Sequence, residues 1–486
     1  MRILQACSEV HPYSKTGGLG DMVGALAKTQ ARMGHDVSVV TPLYRGIRER
    51  FPAIEPFDWK MELPLGSRTI SSKVWILRPA PRLTVYFIDQ PDFYNRGELY
   101  HEHGKDYPDN ASRFIFFSKA VVHLARYLPD SPGVVHLHDW QTGLVPLLIR
   151  HQQRWEGWGT PPATCLTIHN LMFQGVFAPD QFGFSNLPGS YFANDGVAGH
   201  GQLNCLKAGI VHADAITTVS PRYAREVTTE AMGCGLDGVL RARQGEFVGI
   251  LNGVDLDEWN TTHNRFLKYP YSPDDLSGKA AQKADLQREV GLPVRAEVPL
   301  FGSITRIVEQ KGVDLMLAAL GEMLADDMQF VLLGTGDPKF EAAFVDLARR
   351  FPDKASIHIG FDQAFAHRIE AGCDFFLMPS RFEPCGLTQM YSQRYGTIPI
   401  VRKTGGLDDT VIDLTESLEL PTGIKFERAE PQALAKAIRK ALVLFRHPDL
   451  LAHYRRNGMQ TDFSWARTAI QMTNLYQRAL GQLHSK

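Results

Sequence analysis

The sequence predicts an α/β fold made of two doubly wound domains, each with a parallel sheet. Short runs rich in Val, Ile and Leu alternate with longer amphipathic runs, as expected where helical crossovers connect parallel strands. This rhythm breaks off near residue 250 and restarts near residue 300, which indicates two separate sheets. The length of 486 residues agrees, because single hydrophobic cores rarely extend beyond roughly 250–300 residues.

In the first domain, apolar runs of strand length alternate with helical patterns. The predicted strands are Arg2–Ala6, Val37–Thr41, Val85–Ile88, Val134–His138, Thr164–Ile168 and Ala215–Val219, and the clearest helical patterns are Asn110–Leu128 and Gln202–Ala213. Residues 179–199 are rich in Phe, Gly, Asn and Pro, and this composition favours a long ordered loop.

The second domain repeats the same alternation. Its predicted strands are Leu300–Ile304, Phe330–Gly334, Ser356–Ile359, Phe375–Met378 and Ile398–Val401, and its clearest helical patterns are Val313–Leu324 and Pro431–Phe445. The boundary should fall near Phe247–Asp257, where a short apolar run leads into a glycine-containing turn. Residues 261–292 are polar and contain prolines, which predicts a surface excursion at the start of this domain.

Composition and charge exclude several classes of partner. Lys and Arg total 52 against 53 Asp and Glu, so the chain has no basic excess for nucleic acid or a membrane surface. No apolar run approaches the roughly 18 residues of a membrane-spanning helix, and the N-terminus lacks the apolar region of a signal peptide. The six cysteines are scattered without a CxxC pair, which favours free thiols and a cytoplasmic location.

The first candidate site follows the first predicted strand. Residues 15–21 are Lys-Thr-Gly-Gly-Leu-Gly-Asp, and a helical pattern with an acidic start begins at Asp21. Two glycines between a strand and a helix let backbone N–H groups approach a negatively charged ligand, and Lys15 adds a positive charge. The segment matches neither the dinucleotide fingerprint G-x-G-x-x-G nor a Walker A loop. It therefore predicts a pyrophosphate or sugar phosphate held in another way, with an ordinary strand–helix turn as the alternative.

Two segments of the second domain place charged residues after strands. Arg306 and Lys311 lie five residues apart after a predicted strand, so both can reach one diphosphate. Glu383 lies in a turn after another strand, and residues 386–388 begin the next helix, a second natural anion site. The alternatives are that the two cations are merely solvated and that Glu383 and Thr388 only cap the helix. Residues 404–410 repeat the pattern of strand, paired glycines and acidic helix start.

Histidines and an aspartate stand at two further strand ends in the first domain. Residues 136–140 are His-Leu-His-Asp-Trp, and residues 167–170 are Thr-Ile-His-Asn. The His-x-His-Asp pattern suggests a metal site, but no further cluster of Cys, His or carboxylate supports one. A catalytic or sugar-contacting role for Asp139 and His169 is the better prediction.

Taken together, these motifs resemble those of bacterial glycogen synthases and plant starch synthases. The segments that carry the resemblance are KTGGL at 15–19, HDW at 138–140, Arg306 with Lys311, and SRFEPCGLTQ at 380–389. The similarity runs essentially from the first residue to the last predicted helix. It implies a GT-B fold, with two Rossmann-like domains (residues 1–247 and 248–462) facing a deep cleft and a final helix (463–486) crossing back to the first domain.

The resemblance also implies a reaction and a set of site residues. The reaction is retaining transfer of glucose from ADP-glucose to the non-reducing end of an α-1,4-glucan. Arg306 and Lys311 would hold the diphosphate of the departing ADP. Catalytic roles are implied for Glu383, Arg306, Lys311, His169 and Asp139, and substrate contacts for Lys15, Gly17, Gly18, Asp21, Asn252, Phe361, Cys385, Gly386, Leu387 and Thr388.

Three positions depart from patterns common in related enzymes. Tyr391 stands where many retaining GT-B enzymes have a second glutamate, Gln141 where a histidine is common, and Phe361 where a tyrosine often stacks on adenine. With no motif carboxylate suited to double displacement, the resemblance implies front-face transfer assisted by the donor phosphate. Cations and helix N-termini would then neutralise the leaving group, so no metal or other cofactor is expected.

Several alternatives and partners accompany this interpretation. UDP-glucose as donor and a non-catalytic glucan-binding relative stay open, and a homo-oligomer is compatible with the resemblance. A glucan phosphorylase would need a Schiff-base lysine, for which the chain offers no matching context, and the missing G-x-G-x-x-G argues against an oxidoreductase. The expected partners are ADP-glucose and an α-1,4-glucan such as glycogen or maltooligosaccharides, with no nucleic acid and no membrane.

Overall fold

The computed structural model describes residues 1–484 and divides the chain into two compact units. Unit 1 comprises Met1–Gly253 together with the chain from Trp465 onward, and unit 2 comprises Val254–Ser464. The sequence predicts boundaries after residues 247 and 462, whereas the units divide after residues 253 and 464. In the described part of the chain, no helix is long and apolar enough to cross a membrane.

Unit 1 is built on a large sheet with helices connecting its strands. Its strands are β1 (Arg2–Ala6), β2 (Asp36–Pro42), β3 (Glu55–Leu65), β4 (Arg68–Ala80), β5 (Leu83–Asp89), β6 (His101–Glu102), β7 (Lys105–Asp106), β8 (Val134–His138), β9 (Ala163–Ile168), β10 (Val176–Phe177), β11 (Ala198–Gly199), β12 (Gln202–Asn204), β13 (Ala215–Thr218) and β14 (Phe247–Gly249). Its helices before the boundary are α1 (Gly18–Arg32), α2 (Ile47–Arg50), α3 (Pro91–Tyr94), α4 (Asn110–Tyr127), α5 (Val145–Trp155), α6 (Cys205–His212), α7 (Pro221–Glu226) and α8 (Asp237–Ala242).

The strand order of the large sheet confirms a doubly wound topology. It runs β14-β13-β9-β8-β1-β2-β5-β4-β3. From β8 the chain proceeds outward to β14 on one side, and from β1 it passes to β2 on the other, then to the edge strand β3 and back inward through β4 to β5. The central strands β1 and β8 are almost wholly buried, which matches their continuous apolar sequences. The order reverses between β1 and β8, and open α/β sheets bind ligands at the carboxyl ends of strands beside such a switch point.

The hairpin β3–β4 at the edge of this sheet is not among the predicted strands. The two strands pair antiparallel, and β4 also pairs antiparallel with β5. Buried and exposed residues alternate along the second half of β3 because only one face of the hairpin packs on the core. A search for continuous apolar runs misses strands of this half-exposed kind.

Unit 2 has a smaller, wholly parallel sheet. Its strands are β15 (Leu300–Ile307), β16 (Gln329–Gly336), β17 (Ala355–Ile359), β18 (Phe375–Met378), β19 (Ile398–Arg402) and β20 (Ile424–Phe426). Its helices are α9 (Ser277–Glu289), α10 (Val313–Met323), α11 (Pro338–Arg350), α12 (Gln363–Gly372), α13 (Thr388–Arg394), α14 (Gly405–Thr410), α15 (Pro431–Phe445) and α16 (Pro448–Gln460). The order β17-β16-β15-β18-β19-β20 places its switch point between β15 and β18.

Three local predictions are wrong. The helix of the KTGGL segment begins at Gly18 rather than Asp21, with extended Gly17 as its N-cap. The pattern at 202–213 divides into strand β12 and helix α6, because the Asn204 side chain accepts a hydrogen bond from the Lys207 N–H and caps the helix there. Residues 261–292 contain helix α9 and are not simply a surface excursion. Lys279 and Lys283 of this helix are buried because their ammonium groups donate to backbone carbonyls, so charged residues here do not indicate exposure.

The final helix α17 (Trp465–His484) packs within unit 1 rather than unit 2. Ala469, Met472, Tyr476 and Ala479 are buried in the core of that unit. Their spacing of three or four residues is the apolar stripe of an amphipathic helix.

Candidate active site

Paired glycines and a lysine follow β1 at the switch point of unit 1. No atom lies within 4 Å of the position that a Cβ on Gly17 would occupy, so this face of the backbone is open. The Lys15 ammonium lies 2.9 Å from both carboxylate oxygens of Asp21, one turn into α1. The structure therefore brings Lys15, Gly17, Gly18 and Asp21 together, with the lysine held as an ion pair.

Glu9 holds this loop in place, and the sequence analysis did not include it. Its buried carboxylate accepts hydrogen bonds from the Thr16 backbone N–H at 2.5 Å and from the Thr16 hydroxyl at 2.7 Å. The Tyr100 hydroxyl also donates to Glu9, at 2.7 Å. Glu9 is the only acidic residue between β1 and the paired glycines, and this position is the sequence signal that could have identified it.

Asp139 follows β8, directly across the switch point from the loop after β1. Its backbone has φ 56° and ψ −169°, a region that essentially only glycine occupies without strain. Its carboxylate accepts a hydrogen bond from the His169 backbone N–H at 2.7 Å. Burial raises the pKa of Asp139 to about 7, although backbone N–H groups of His169 and Asn170 oppose the shift. Strain and a perturbed carboxyl in one residue are typical of a functional site.

The His169 side chain lies beside Asp139 because β8 and β9 are neighbours in the sheet. Its Nε2 lies 3.1 Å from Nδ1 of His138, a contact that the sequence analysis did not foresee. Burial lowers the pKa of His169 to about 3, so its ring is neutral near pH 7. Asn252 is buried at the end of unit 1, and its Oδ1 has no hydrogen-bond partner among the described residues.

The predicted catalytic residues of unit 2 meet at its switch point. The Lys311 ammonium lies 2.6 Å from Oε2 of Glu383, and the Ser380 hydroxyl lies 3.1 Å from the same oxygen. Glu383 is only 7% exposed, so its carboxylate is held between a cation and a hydroxyl rather than displayed in an open turn. Arg306 is exposed and contacts the Gln310 amide at 3.4 Å.

A pocket of about 160 Å³ lies at the carboxyl ends of β15 and β18, and Glu383 is not among its lining residues. Arg306, Lys311, Ser380 and Thr388 line it together with apolar side chains. The lining residues are Ser303, Ile304, Thr305, Arg306, Lys311, Met316, Leu377, Met378, Ser380 and Thr388. A small pocket with two cations at its rim suits part of an anionic ligand.

The loop after β18 is fixed by close backbone approaches. α13 begins at Thr388, with Leu387 as its N-cap and Gly386 in a left-handed conformation at φ 69°, as the sequence predicts for a helix start at 386–388. The N–H of Gly406 donates to the Glu383 carbonyl at 3.0 Å. A Cβ on Gly406 would lie 1.8 Å from the carbonyl oxygen of buried Cys385. The second Gly-Gly pair therefore positions the glutamate loop.

Arg402 and Gln310 also hold this loop, and neither was predicted. The Arg402 guanidinium donates to the carbonyls of Ser380 and Arg381. The backbone carbonyl of Gln310 accepts a hydrogen bond from the Arg381 N–H at 2.8 Å, and the Gln310 side-chain amide donates to the Phe382 carbonyl at 3.3 Å. Both are polar residues at strand ends, but their partners are carbonyls that only the tertiary structure brings near.

Phe361, which was predicted to contact the substrate, lies on the surface of unit 2. The Phe361 ring is 82% exposed after β17, so a face is open for stacking.

Within residues 1–484, no group of three or more His, Cys, Asp or Glu side chains has the arrangement of a metal site. No disulfide joins the six cysteines, all of which lie within residues 1–484, and only Cys234 is exposed.

Comparison with known proteins defines the class. Residues 2–242 match the family described as starch synthase catalytic domain, and residues 288–459 match glycosyl transferases group 1. Each match covers one of the two doubly wound sheets, and the fold is GT-B. The chain is therefore a glycosyltransferase.

Individual relatives define the family more narrowly. The chain is 49% identical to a glycogen synthase of an Anaeromyxobacter species, over 98% of this chain and 99% of that one. It is 41% identical to a glycogen synthase of Syntrophotalea carbinolica, over the full length of both. The catalytic domain of starch synthase IV from Arabidopsis thaliana, bound to ADP and acarbose, superposes with a TM-score of 0.88 at 34% identity over 99% of each chain. The chain belongs to the glycogen synthase and starch synthase family.

Proposed function

We propose that this enzyme elongates an α-1,4-glucan by transferring glucose from ADP-glucose to its non-reducing end with retention of configuration. The observation that carries the proposal is the Lys311–Glu383 pair beside Arg306 at the switch point of unit 2. Open α/β sheets bind their ligands at such points, and paired charges there suit a nucleotide sugar. ADP as the nucleotide is supported by the starch synthase IV structure, which holds ADP, and by the exposed ring of Phe361.

In this proposal the cations act on the leaving group. Arg306 and Lys311 neutralise the negative charge that accumulates on the diphosphate as the glucosyl bond breaks, which lowers the barrier. The N–H groups at the start of α13 add partial positive charge. Lys15, Gly17 and Gly18 of unit 1 are proposed substrate contacts. No divalent metal or organic cofactor is required, since the protein's own cations supply the charge.

Glu383, His169 and Asp139 act on the transferred glucose in this scheme. Glu383 fixes the position of Lys311 and offers its second oxygen as a hydrogen-bond acceptor for sugar hydroxyls. Asp139 holds the backbone of His169, and Asp21 and Asn252 supply further polar contacts. The donor phosphate takes the proton of the acceptor hydroxyl, because no motif carboxylate is suited to form a covalent glucosyl intermediate.

We further propose that the enzyme works in the cytoplasm, on glycogen or maltooligosaccharides. Its nearly balanced charge and the absence of a CxxC pair support this. Nucleic acid and membrane surfaces are not partners in the proposal, and a homo-oligomer is compatible with it.

A donor panel tests the proposal directly. Radiolabelled glucose from ADP-glucose or UDP-glucose is offered with glycogen as acceptor, with and without EDTA, and incorporation into polymer is measured. We expect ADP-glucose to give at least tenfold higher kcat/KM than UDP-glucose and EDTA to leave the rate unchanged. A preference for UDP-glucose would overturn the donor assignment, and loss of activity in EDTA would overturn the role of the cations. Failure of both donors would favour the glucan-binding alternative.

A further inference from the structure

His138 and His169 form a buried pair whose hydrogen bond restricts where each ring carries its proton. His138 is the last residue of β8, and His169 directly follows β9, its neighbour in the sheet. Nδ1 of His138 lies 3.1 Å from Nε2 of His169, a normal hydrogen-bond distance between two nitrogens. In such a contact, one of the two nitrogens carries the hydrogen and the other accepts it.

Both rings are neutral near pH 7. Burial lowers the pKa of His169 to about 3, and burial with the neighbouring His136 and His169 lowers the pKa of His138 well below its ordinary value. A neutral imidazole has one N–H donor and one lone-pair acceptor. Only two arrangements are therefore compatible with the 3.1 Å contact.

The outer nitrogen of His138 distinguishes these arrangements. Nε2 of His138 is buried and has no hydrogen-bond partner among the described residues. If His169 were the donor, His138 would carry its own proton on this Nε2, leaving a buried N–H without an acceptor. If His138 is the donor, only a lone pair stays unpaired there. Orphaned buried N–H groups are rarer than under-satisfied acceptors, so the second arrangement is favoured.

We propose that His138 is a positioning residue that fixes the tautomer of His169. His138 donates from Nδ1 to Nε2 of His169, which obliges His169 to carry its proton on Nδ1. That nitrogen has no hydrogen-bond partner among residues 1–484, so His169 presents an N–H donor to the site. His169 then binds a substrate oxygen as a hydrogen-bond donor and does not act as a general base. This consequence for catalysis rests on the proposed function, whereas the tautomer itself does not.

Two-bond ¹H–¹⁵N correlation spectra of the ¹⁵N-histidine-labelled protein distinguish the two neutral tautomers directly. A His169→Gln variant identifies the His169 resonances by their loss. We expect wild-type His169 to show the pattern of the Nδ1–H tautomer at pH 7. An Nε2–H pattern for wild-type His169 would overturn the proposal. This spectrum requires neither a substrate nor a variant of His138.

Variants of His138 then test its control over His169. His138→Asn places an amide N–H where Nδ1–H stands, and we expect the Nδ1–H pattern of His169 to persist. His138→Asp offers an acceptor instead, and we expect His169 to change to Nε2–H or to become doubly protonated. His136→Gln is the matched control, since His136 is equally buried in β8 but does not hydrogen-bond to His169. A His169 tautomer that stays Nδ1–H in folded His138→Asp would contradict the proposal.

Activity supplies the second readout. With ADP-glucose and glycogen, we expect His138→Asn to keep kcat within about threefold of wild type. We expect His138→Asp to lose about 100-fold, the scale of one misplaced transition-state donor. Equal losses in both folded variants, with the tautomer unchanged in His138→Asn, would show a packing role and overturn the catalytic consequence. If the wild-type enzyme used neither nucleotide sugar, the proposed function would fail while the spectra still determined the tautomer.

Discussion

Glu383 shows how a single side chain combines burial with charge at the candidate site. Its carboxylate is 7% exposed and is held by the Lys311 ammonium and the Ser380 hydroxyl. The sequence predicted that Glu383 lies in a turn after β18, but it suggested an open carboxylate. Only the fold brings Lys311 to within 2.6 Å of it, because the two residues follow strands that are neighbours across the switch point.

Replacement of Glu383 tests its role in turnover. We expect Glu383→Gln to lower kcat at least 100-fold, because a neutral amide cannot hold Lys311 or accept hydrogen bonds as a carboxylate does. The melting temperature should stay within a few degrees, since glutamine keeps the size of the side chain. Kinetics with ADP-glucose and calorimetry measure both. Glu309→Gln, an exposed carboxylate in the preceding loop, is the control and should retain activity. Near-normal turnover in Glu383→Gln would show that the carboxylate is dispensable.

Asp139 predicts a pH dependence of stability. Its folded pKa of about 7 lies above the ordinary value of 3.8, so the folded state binds the proton more tightly than the unfolded state. Its contribution to stability is therefore full below about pH 4 and is lost as the pH rises through 7. Relative to Asp139→Asn, the wild-type free energy of unfolding should fall by about 3–4 kcal/mol across this window. Urea unfolding at several pH values measures the difference, and a difference independent of pH would contradict the prediction.

At the scale of elements, the bounds of compact apolar and amphipathic runs were predicted best. β1, β8, β18 and α15 have the predicted bounds, since each is a compact apolar or amphipathic run with clear ends. The sequence also identified the Gly-Gly pair at the start of α14, yet it gave no sign that this pair positions another loop. The backbone of Gly406 approaches that of Cys385 too closely for any side chain.

A methyl group at Gly406 should therefore displace the glutamate loop. We expect Gly406→Ala to lower kcat at least tenfold, because the Cys385 carbonyl must move and Glu383 moves with it. Gly321→Ala in α10 is the matched control, as its Cβ would meet nothing within 4 Å. That control should keep its activity and gain about 0.5–1 kcal/mol of stability from better helix propensity. Equal activity of the two variants in the donor assay would argue against this positioning role.

At the scale of the whole molecule, α17 ties the end of the chain into unit 1. The buried Tyr476 hydroxyl lies 2.7 Å from Nδ1 of His136 in β8, and it accepts a hydrogen bond from the Gln30 amide in α1 at 3.2 Å. Unit 1 is thus stabilised by residues separated by more than four hundred positions in sequence. Deleting a buried hydrogen-bonding group leaves its partners unsatisfied, which is the costly case.

Loss of the Tyr476 hydroxyl should destabilise unit 1. We expect Tyr476→Phe to lower the free energy of unfolding by about 1–3 kcal/mol, because His136 and Gln30 lose their shared partner. Tryptophan fluorescence follows this transition, since every tryptophan except Trp259 belongs to unit 1. Tyr127→Phe, an exposed tyrosine in the same unit, is the control and should change stability by less than about 0.5 kcal/mol. Equal unfolding midpoints for the two variants would show that the hydrogen bonds of the buried Tyr476 hydroxyl add nothing to the stability of unit 1.

The sequence by itself determined the fold class, the strands of both sheet centres and the loops that carry the candidate site. Continuous apolar runs, paired glycines and charged residues after strands are local patterns, and local physics is enough to interpret them. The tertiary structure alone decided which loops meet. Strand order places Lys311 against Glu383 and His138 against His169, and the fold brings Glu9 to Tyr100, Arg402 to Ser380 and Tyr476 to His136. The physical reason is that burial and hydrogen bonding depend on distances in space, which strand pairing fixes and residue spacing does not.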